Sequence, residues 1–228
     1  MRVVPPAAPA PMPSDPPSAA APADPPPSHD APAAKGDRNQ NPRGIGLRQL
    51  IAEDFRTHDR MLSEPGFWVV ALHRLANARM DVRPRAVRAP MTLAYLVTER
   101  LVNWVWGIQL PYTVRLGRRV RIWHHGGTVL GARAIGDDVH IRHNTTFGVL
   151  TRGENAAKPI IGNRVDVGVG AVILGPVTVG DDAVVGPNSV VLRHVPPGTV
   201  VMGVPARQAA LKSESAPASA APGQPQGG

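Results

Sequence analysis

The chain has 228 residues, a formal net charge of +8 and no cysteine, which excludes disulfide bonds and thiolate metal sites. The excess positive charge fits an anionic partner, either a nucleic acid or a phosphate-bearing cofactor, and it also fits a basic face turned to water. Five arginines lie close together in one segment: Arg74, Arg79, Arg83, Arg85 and Arg88. No stacking aromatic residues and no nucleic-acid motif accompany them, so we expect no nucleic-acid binding.

Residues 1–43 form a tail rich in proline and alanine, with half of the chain's 26 prolines and almost no large apolar side chains. Such a segment buries too little surface to offset its conformational entropy, so we predict disorder here and over residues 209–228. The prolines after Arg2 argue against a secretory signal, and the longest apolar stretch, 91–110, is interrupted by charged residues. We therefore expect a soluble, cytoplasmic protein.

Residues 44–108 carry a helical pattern. The stretch "LRQLIAEDFRTHDRML" puts its apolar residues mostly at helical spacing, and "FWVVALHRLANARM" and "MTLAYLVTERLVNWVW" follow it. Breakers at Pro65-Gly66 and from Pro84 to Pro90 separate these stretches. The pattern predicts three helices whose apolar faces must pack against another part of the protein.

After Pro111 the apolar residues recur every six positions. A period of six fits neither a helix nor an alternating strand, but it fits a parallel β-helix in which short strands and tight turns stack coil on coil. Glycine often follows the inward residue, and we expect glycine or a small polar residue at corners that need positive φ. We predict a β-helix over residues 109–208. Its inward positions are Leu116, Ile122, Val129, Ile135, Ile141, Phe147, Ile161, Val167, Ile173, Val179, Val185 and Val191.

Two irregularities interrupt this repeat. After Ile122 the next inward position is seven residues away instead of six, which indicates one residue inserted beside His124 and His125. After Phe147 it is fourteen residues away, two more than twelve, so the segment 149–159 is predicted to loop out of the coil. Interruptions of a repeat commonly carry function, so we expect the site near these two features.

The motifs "LGRRVRIWHHGGTVLG", "VHIRHNTTFGV" and "IGNRVDVGVGAVILGPVTVGDDAVVGPNSVVLRHVPPGTVVMGVPAR" closely resemble the serine O-acetyltransferases, which are hexapeptide-repeat acyltransferases. The similarity covers roughly residues 45–210, and "GVPAR" after a "VPPGT" turn is specific to these acyltransferases. The resemblance implies a left-handed β-helix, a homotrimer of it, and acetyl-CoA bound in the groove between neighbouring subunits.

By this resemblance, His124 falls on the family's catalytic histidine, and Gly127 closes the same H-x-x-G turn. An alcohol attacks a thioester poorly until a base removes its proton, and a histidine can take that proton and return it to the departing thiolate. Backbone N–H groups at a glycine corner are the expected donors to the oxyanion. His125 either points away from the acceptor pocket or lines it.

Three positions depart from the family's pattern. Its orienting aspartate falls on Gln109, which can still orient an imidazole by a hydrogen bond, and the carboxylate before the histidine falls on Trp123. Its Arg-His pair for the carboxylate of serine falls on Ala157 and Lys158, where the lysine can still bind a carboxylate. The family's cofactor-binding positions fall on Gly148, Val169, Pro187 and Arg207.

The resemblance makes L-serine the leading acceptor, acetyl-CoA the co-substrate and O-acetyl-L-serine, the precursor of cysteine, the product, with no metal. The alternative acceptor is a sugar hydroxyl of a surface polysaccharide or its precursor, because Trp123 offers an aromatic face and the Arg-His pair is lost. A β-helix scaffold without activity is a third hypothesis, which the retained His124 argues against.

We also expect a trimer, with pairing of two trimers through the helices as a further option. The competing use of the apolar helix at 91–108 is contact with a membrane surface, aided by Arg83, Arg85 and Arg88.

Overall fold

The computed structural model describes residues 28–29, 36–153 and 156–209. Three helices confirm the predicted helical region: α1 spans Leu47–Thr57, α2 spans Pro65–Ala78 and α3 spans Arg85–Trp106, with a short 3-10 turn at Arg79–Asp81. The predicted breakers are confirmed at the start of α2 and at Pro84, the N-cap of α3, but not at Pro90. Pro65 is the first residue of α2, where a missing N–H costs nothing, and Pro90 lies inside α3.

Short strands then wind into a β-helix with three flat sides. Sheet A contains β1-β4-β7-β10-β13, sheet B contains β2-β5-β8-β11, and sheet C contains β3-β6-β9-β12-β14-β15. Every pairing is parallel except β14 with β15. This confirms the predicted left-handed parallel β-helix. The strands are β1 Ile108–Gln109, β2 Arg115–Leu116, β3 Arg121–Ile122, β4 Thr128–Leu130, β5 Ala134–Ile135, β6 His140–Ile141, β7 Thr146–Gly148, β8 Ile160–Ile161, β9 Asp166–Val167, β10 Val172–Leu174, β11 Thr178–Val179, β12 Val184–Val185, β13 Val190–Val191, β14 Val200–Met202 and β15 Arg207–Gln208.

One buried apolar residue from nearly every strand fills the inside of the β-helix, as the period of six predicts. The prediction was wrong at Val129, whose side chain is 38% exposed. Leu130 takes the inward place instead, in register with Phe147 of the next coil. Leu130 follows the inward Ile122 by eight positions instead of six, and the next step, to Ile135, is five, so the net insertion over the two steps is the one residue predicted.

The predicted loop after β7 is also larger than its spacing indicated. Phe147 and Ile161 lie in β7 and β8, which are successive strands on neighbouring sheets, as Ile173 and Val179 are one coil later. The first pair is fourteen residues apart and the second pair six, so the loop inserts eight residues rather than two. Residues 154–155 of this loop lie outside the described residues.

The glycines that follow inward residues serve coil stacking and do not need positive φ, contrary to the prediction. A Cβ on Gly136 would lie 2.6 Å from the carbonyl oxygen of Gly162 in the next coil, so no side chain fits between these backbones. Positive φ falls instead on later corner residues, including Asp138, Asn144 and Asn188, which confirms the prediction of small polar residues at such corners.

The helices are fastened to the first coil by buried polar groups of α2. The Arg74 side chain is fully buried, and its Nε lies 3.0 Å from Asp54 Oδ2 while its Nη1 donates to the carbonyl of Leu116 at 2.8 Å. His73 Nε2 lies 3.0 Å from the carbonyl oxygen of Val114. Burial lowers the pKa of His73 to about 3, so the ring is neutral and its Nε2–H donates this hydrogen bond.

Most of α3 faces away from the body of the protein. Of its residues only Tyr95 is buried, and Trp104 is 75% exposed. No helix among the described residues has both the length and the apolarity needed to cross a membrane. The large exposed apolar side chains of α3 are Val87, Met91, Leu93, Leu96, Val97, Leu101, Trp104 and Val105.

The predicted tails lie largely outside the described residues, which omit 1–27, 30–35 and 210–228. The described part of the first tail is hydrogen-bonded to the helices: Asn41 Nδ2 donates to the carbonyl of Arg74 at 2.9 Å, and the Gln40 N–H donates to Asn77 Oδ1 at 3.0 Å. The bounds predicted for the helical region and the β-helix stay predictions.

Candidate active site

The corner between β3 and β4 presents His124 to solvent. His124, Gly126 and Gly127 all have positive φ, of 62°, 101° and 58°. Glycine adopts such angles freely, but histidine does so only where its surroundings hold it there. The C-terminus of α3 provides that support, because Gly126 N–H donates to the carbonyl of Trp106 at 2.8 Å and Thr128 N–H donates to that of Gly107 at 2.9 Å.

A second imidazole lies beside His124. The ring of His143, from the equivalent corner of the next coil, packs edge-on against it with 5.4 Å between centroids. The Nδ1 atom of His143 is buried and has no hydrogen-bond partner among the described residues. A molecule held at His124 would thus meet two imidazoles, one to accept a proton and one to donate a hydrogen bond.

Trp123 is held in a fixed orientation next to this corner. The guanidinium of Arg121 lies 3.6 Å from the centre of its ring, and its Nε1–H donates to His140 Nδ1 at 3.1 Å. Burial, helped by the charges of Arg121 and Arg142, lowers the pKa of His140, which matches its role as an acceptor. One face of the predicted stacking residue is therefore already covered by Arg121.

Gln109 and His125 are the other predicted residues of this neighbourhood. Gln109 is half-buried in β1, in register with Val129 of β4. Its side chain shares no hydrogen bond with His124 within the described part of the chain. His125 is exposed on the corner.

The predicted cofactor residues Val169 and Pro187 lie on the same edge of the β-helix as His124. Backbone hydrogen bonds stack this edge: Asn144 donates to Gly126, Gly170 to His143, and Asn188 to Val169. With about 4.8 Å between coils, the edge extends roughly 14 Å from the His124 corner to Pro187. Arg207 of β15 is paired in register with Met202, the last residue of β14, at the edge of sheet C that also carries the His124 corner.

Gly148 and Lys158 lie elsewhere, on the edge where sheet A turns to sheet B. Gly148 is the last residue of β7 and is in register with Leu174. Lys158 lies two residues before β8, which begins at Ile160. Lys158 is half-buried, and its N–H donates to the carbonyl of Ala156 at 2.9 Å. Within one chain these two predicted residues are therefore separated from His124 by the width of sheet A.

Within the described ranges, no group of three or more histidine, aspartate or glutamate side chains is placed to hold a metal ion.

Comparison with known proteins agrees with this geometry. Residues 158–193 match the family described as bacterial transferase hexapeptide, six repeats. A serine acetyltransferase of Helicobacter pylori is 33% identical over 165 residues, which cover 71% of this chain and 92% of the relative. The chain belongs to the serine acetyltransferase family.

A solved member of the serine acetyltransferase family, the soybean enzyme complexed with serine, is 31% identical and superposes with a TM-score of 0.60 over 72% of this chain and 69% of its own. A second curated relative is the putative colanic acid biosynthesis acetyltransferase WcaB of Escherichia coli. It is 36% identical over 126 residues, which cover 54% of this chain and 75% of the relative.

The sequence did not single out His143, which the structure adds to this serine acetyltransferase-like site. One signal was available, because His143 falls in the corner one coil after His124 and belongs to the motif "VHIRHNTTFGV". The structure also adds Arg121 and His140, which fix the ring of Trp123.

Proposed function

We propose that this serine acetyltransferase family member transfers the acetyl group of acetyl-CoA to the hydroxyl of L-serine, giving O-acetyl-L-serine and coenzyme A, with His124 as general base. The observation that carries the proposal is the exposed His124 on a corner braced by α3, in a chain of this family.

In this mechanism a nitrogen of His124 removes the proton of the serine hydroxyl while its oxygen attacks the thioester carbonyl. The tetrahedral intermediate then loses its C–S bond, and the imidazolium returns the proton to the leaving thiolate. Help of this kind is worth about 10²–10⁴-fold in rate.

We assign a supporting role to His143. Its ring is adjacent to that of His124, so an N–H of His143 can donate to the oxyanion that forms next to the base.

The edge that carries Val169 and Pro187 supports binding of the cofactor's extended arm. It starts at His124 and is lined by small corner residues, and the exposed Arg207 near its far end can pair with a phosphate. We propose that acetyl-CoA lies along this edge with its thioester at His124. Because acetyl-CoA is the co-substrate, we place the reaction in the cytoplasm.

The positions of the site residues support the predicted homotrimer. Lys158 and Gly148 sit on a different edge from His124, so they can act on the same substrates only if a second copy brings its edge alongside. The exposed apolar side chains of α3 supply further surface for contact between copies, including pairing of trimers. Lys158 of one copy would then bind the carboxylate of the serine that faces His124 of the next.

The test is incubation of the purified chain and labelled acetyl-CoA with L-serine and, separately, with a panel of sugars. We expect labelled O-acetyl-L-serine. His124→Ala should lower turnover at least about a hundredfold and leave acetyl-CoA binding intact, while the matched control His125→Ala should do much less. Absence of serine turnover in the unaltered protein would contradict the proposal.

A sugar hydroxyl is the second candidate acceptor. It is favoured by Trp123, which replaces a carboxylate next to the base, and by Ala157 in place of an arginine. The similarity to WcaB points the same way. In the same assay, labelled sugar without labelled serine would establish this alternative.

A further inference from the structure

A segment of the N-terminal tail contacts the β-helix far from the helices that follow it in sequence. His29 Nε2 shares a 3.0 Å hydrogen bond with Thr178 Oγ1 of β11. Its ring also packs edge-on against that of His194, with centroids 6.2 Å apart, and His194 Nδ1 accepts the Thr178 N–H at 2.9 Å. Thr178 of sheet B and His194 therefore hold His29 through specific side-chain contacts.

Arg133 joins this segment to the root of the loop that carries Lys158. Its side chain is buried, and its Nη1 donates both to the carbonyl of His29 at 3.2 Å and to that of Ala156 at 3.3 Å. Its backbone N–H donates to the carbonyl of Pro159 at 2.8 Å. Arg133 thus contacts both ends of the turn from Ala156 to Pro159.

The backbone of Lys158 is held by the same carbonyl. The Lys158 N–H donates to Ala156 O, the oxygen that also accepts from the Arg133 guanidinium. Arg133 Nη2 is buried without a partner among the described residues, so the guanidinium is committed to these carbonyls and not fully satisfied by them. A buried cation held in this way fixes its neighbours, because any shift of the turn would leave more of its N–H groups unpaired.

We infer that Arg133 and His29 are positioning residues for the acceptor: the N-terminal segment at His29 and the turn Ala156–Pro159 are clamped together through the Arg133 guanidinium, which sets the place of Lys158. The inference rests on the proposed role of Lys158 in binding the acceptor. It makes the segment at His29 part of the scaffold of the acceptor site, although His29 is remote from His124 in sequence.

Two deletions test the clamp. Removing residues 1–27 keeps Ser28 and His29, whereas removing residues 1–35 takes both away. In the longer deletion we expect faster hydrogen exchange in the peptide that contains the Lys158 amide and an acceptor KM raised about tenfold, the effect of losing one charge-assisted contact. The KM for acetyl-CoA should stay unchanged, and the shorter deletion should behave like the full chain.

Point variants separate positioning from a general loss of structure. His29→Ala should reproduce both changes, and the matched control Ser28→Ala, at an exposed neighbour, should reproduce neither. Arg133→Met should raise the acceptor KM. Arg133→Lys should raise it less, because an ammonium can still donate to Ala156 O. If Arg133→Met fails to fold, the deletions and His29→Ala still decide the question.

Unchanged exchange at Lys158 in both the 1–35 deletion and His29→Ala would overturn the clamp. Faster exchange with an unchanged acceptor KM would overturn its role in acceptor binding. If the unaltered protein does not acetylate serine, the proposed acceptor fails, and the exchange measurement still establishes or refutes the clamp independently of that result.

Discussion

The buried His73 should make the fold sensitive to mild acid. Its side chain is 1% exposed, and burial is the main cause that lowers its pKa to about 3, with the charge of Arg74 adding to it. In the unfolded chain a histidine has a pKa of about 6.5. The folded-state pKa is the lower one, so this contribution to stability is complete above about pH 6.5 and is lost as the pH falls. Because pH 5 lies about 1.5 units below the unfolded-state pKa, the free energy of unfolding is lower there by about 2 kcal/mol.

Urea unfolding at pH 7.5 and pH 5.0 measures this loss, at one fixed protein concentration because oligomers gain stability with concentration. His73→Gln is the informative variant, since a glutamine amide can still donate to the carbonyl of Val114 but does not titrate. Between the two pH values, the unaltered protein should lose about 2 kcal/mol more free energy of unfolding than this variant. His125→Gln, at an exposed position, should lose as much as the unaltered protein. Equal losses in the unaltered protein and His73→Gln would refute the reasoning.

Four further outcomes follow from the structure. Lys158→Ala should raise the serine KM about tenfold and leave the kinetics with a sugar acceptor unchanged, whereas Trp123→Ala should lower the rate of sugar acetylation. Steady-state kinetics with both acceptors at fixed acetyl-CoA measures these effects. Unchanged serine kinetics in Lys158→Ala would contradict the role assigned to Lys158. Gly136→Ala should lower the free energy of unfolding by about 1–3 kcal/mol because its Cβ would press on Gly162 O, while Gly46→Ala, with open space around it, is the control. Arg74→Met should cost about 3–5 kcal/mol by leaving the buried Asp54 without its partner, and a double variant with Asp54→Asn should lose less than the two single changes together. Light scattering should return a trimer or a hexamer; a stable monomer that floats with anionic liposomes would instead assign the apolar side chains of α3 to a membrane surface.

The sequence was sufficient to predict the β-helix because each coil repeats the same demand for an inward apolar residue. It failed locally where that demand was ambiguous. Val129 and Leu130 are both apolar, and the insertion at the corner shifts the register, so counting back by six from Ile135 selects the wrong one of the pair. The prediction that the glycines after inward residues serve positive φ was wrong for a related reason. At Gly136 glycine is required by the close approach of the neighbouring coil and not by the conformation of its own turn.

The candidate site was predictable only where a local motif carries it. His124 and Gly127 stand in one short turn, so their spacing identifies them. His143 is close to His124 only because coils stack, and the contact of His29 with Arg133 joins residues 104 positions apart without any periodic relation. Contacts of that kind arise from the packed fold, so a pattern within the sequence does not reveal them.

The helices belong to the site as much as the β-helix does. His124 adopts a positive φ, which costs a residue other than glycine on the order of 1–3 kcal/mol. The corner keeps this shape because two carbonyl groups at the C-terminus of α3 accept hydrogen bonds from its N–H groups. The position of α3 is in turn set by Arg79 of the 3-10 turn, whose guanidinium lies 4.6 Å from the ring centre of Tyr95 and 4.5 Å from that of Tyr112. The 3-10 turn follows directly on α2, which is fastened to the first coil by His73 and its neighbour Arg74. Protonation of the buried His73 should therefore act on the support of the His124 corner, so we expect acid to weaken the proposed catalysis and the stability together.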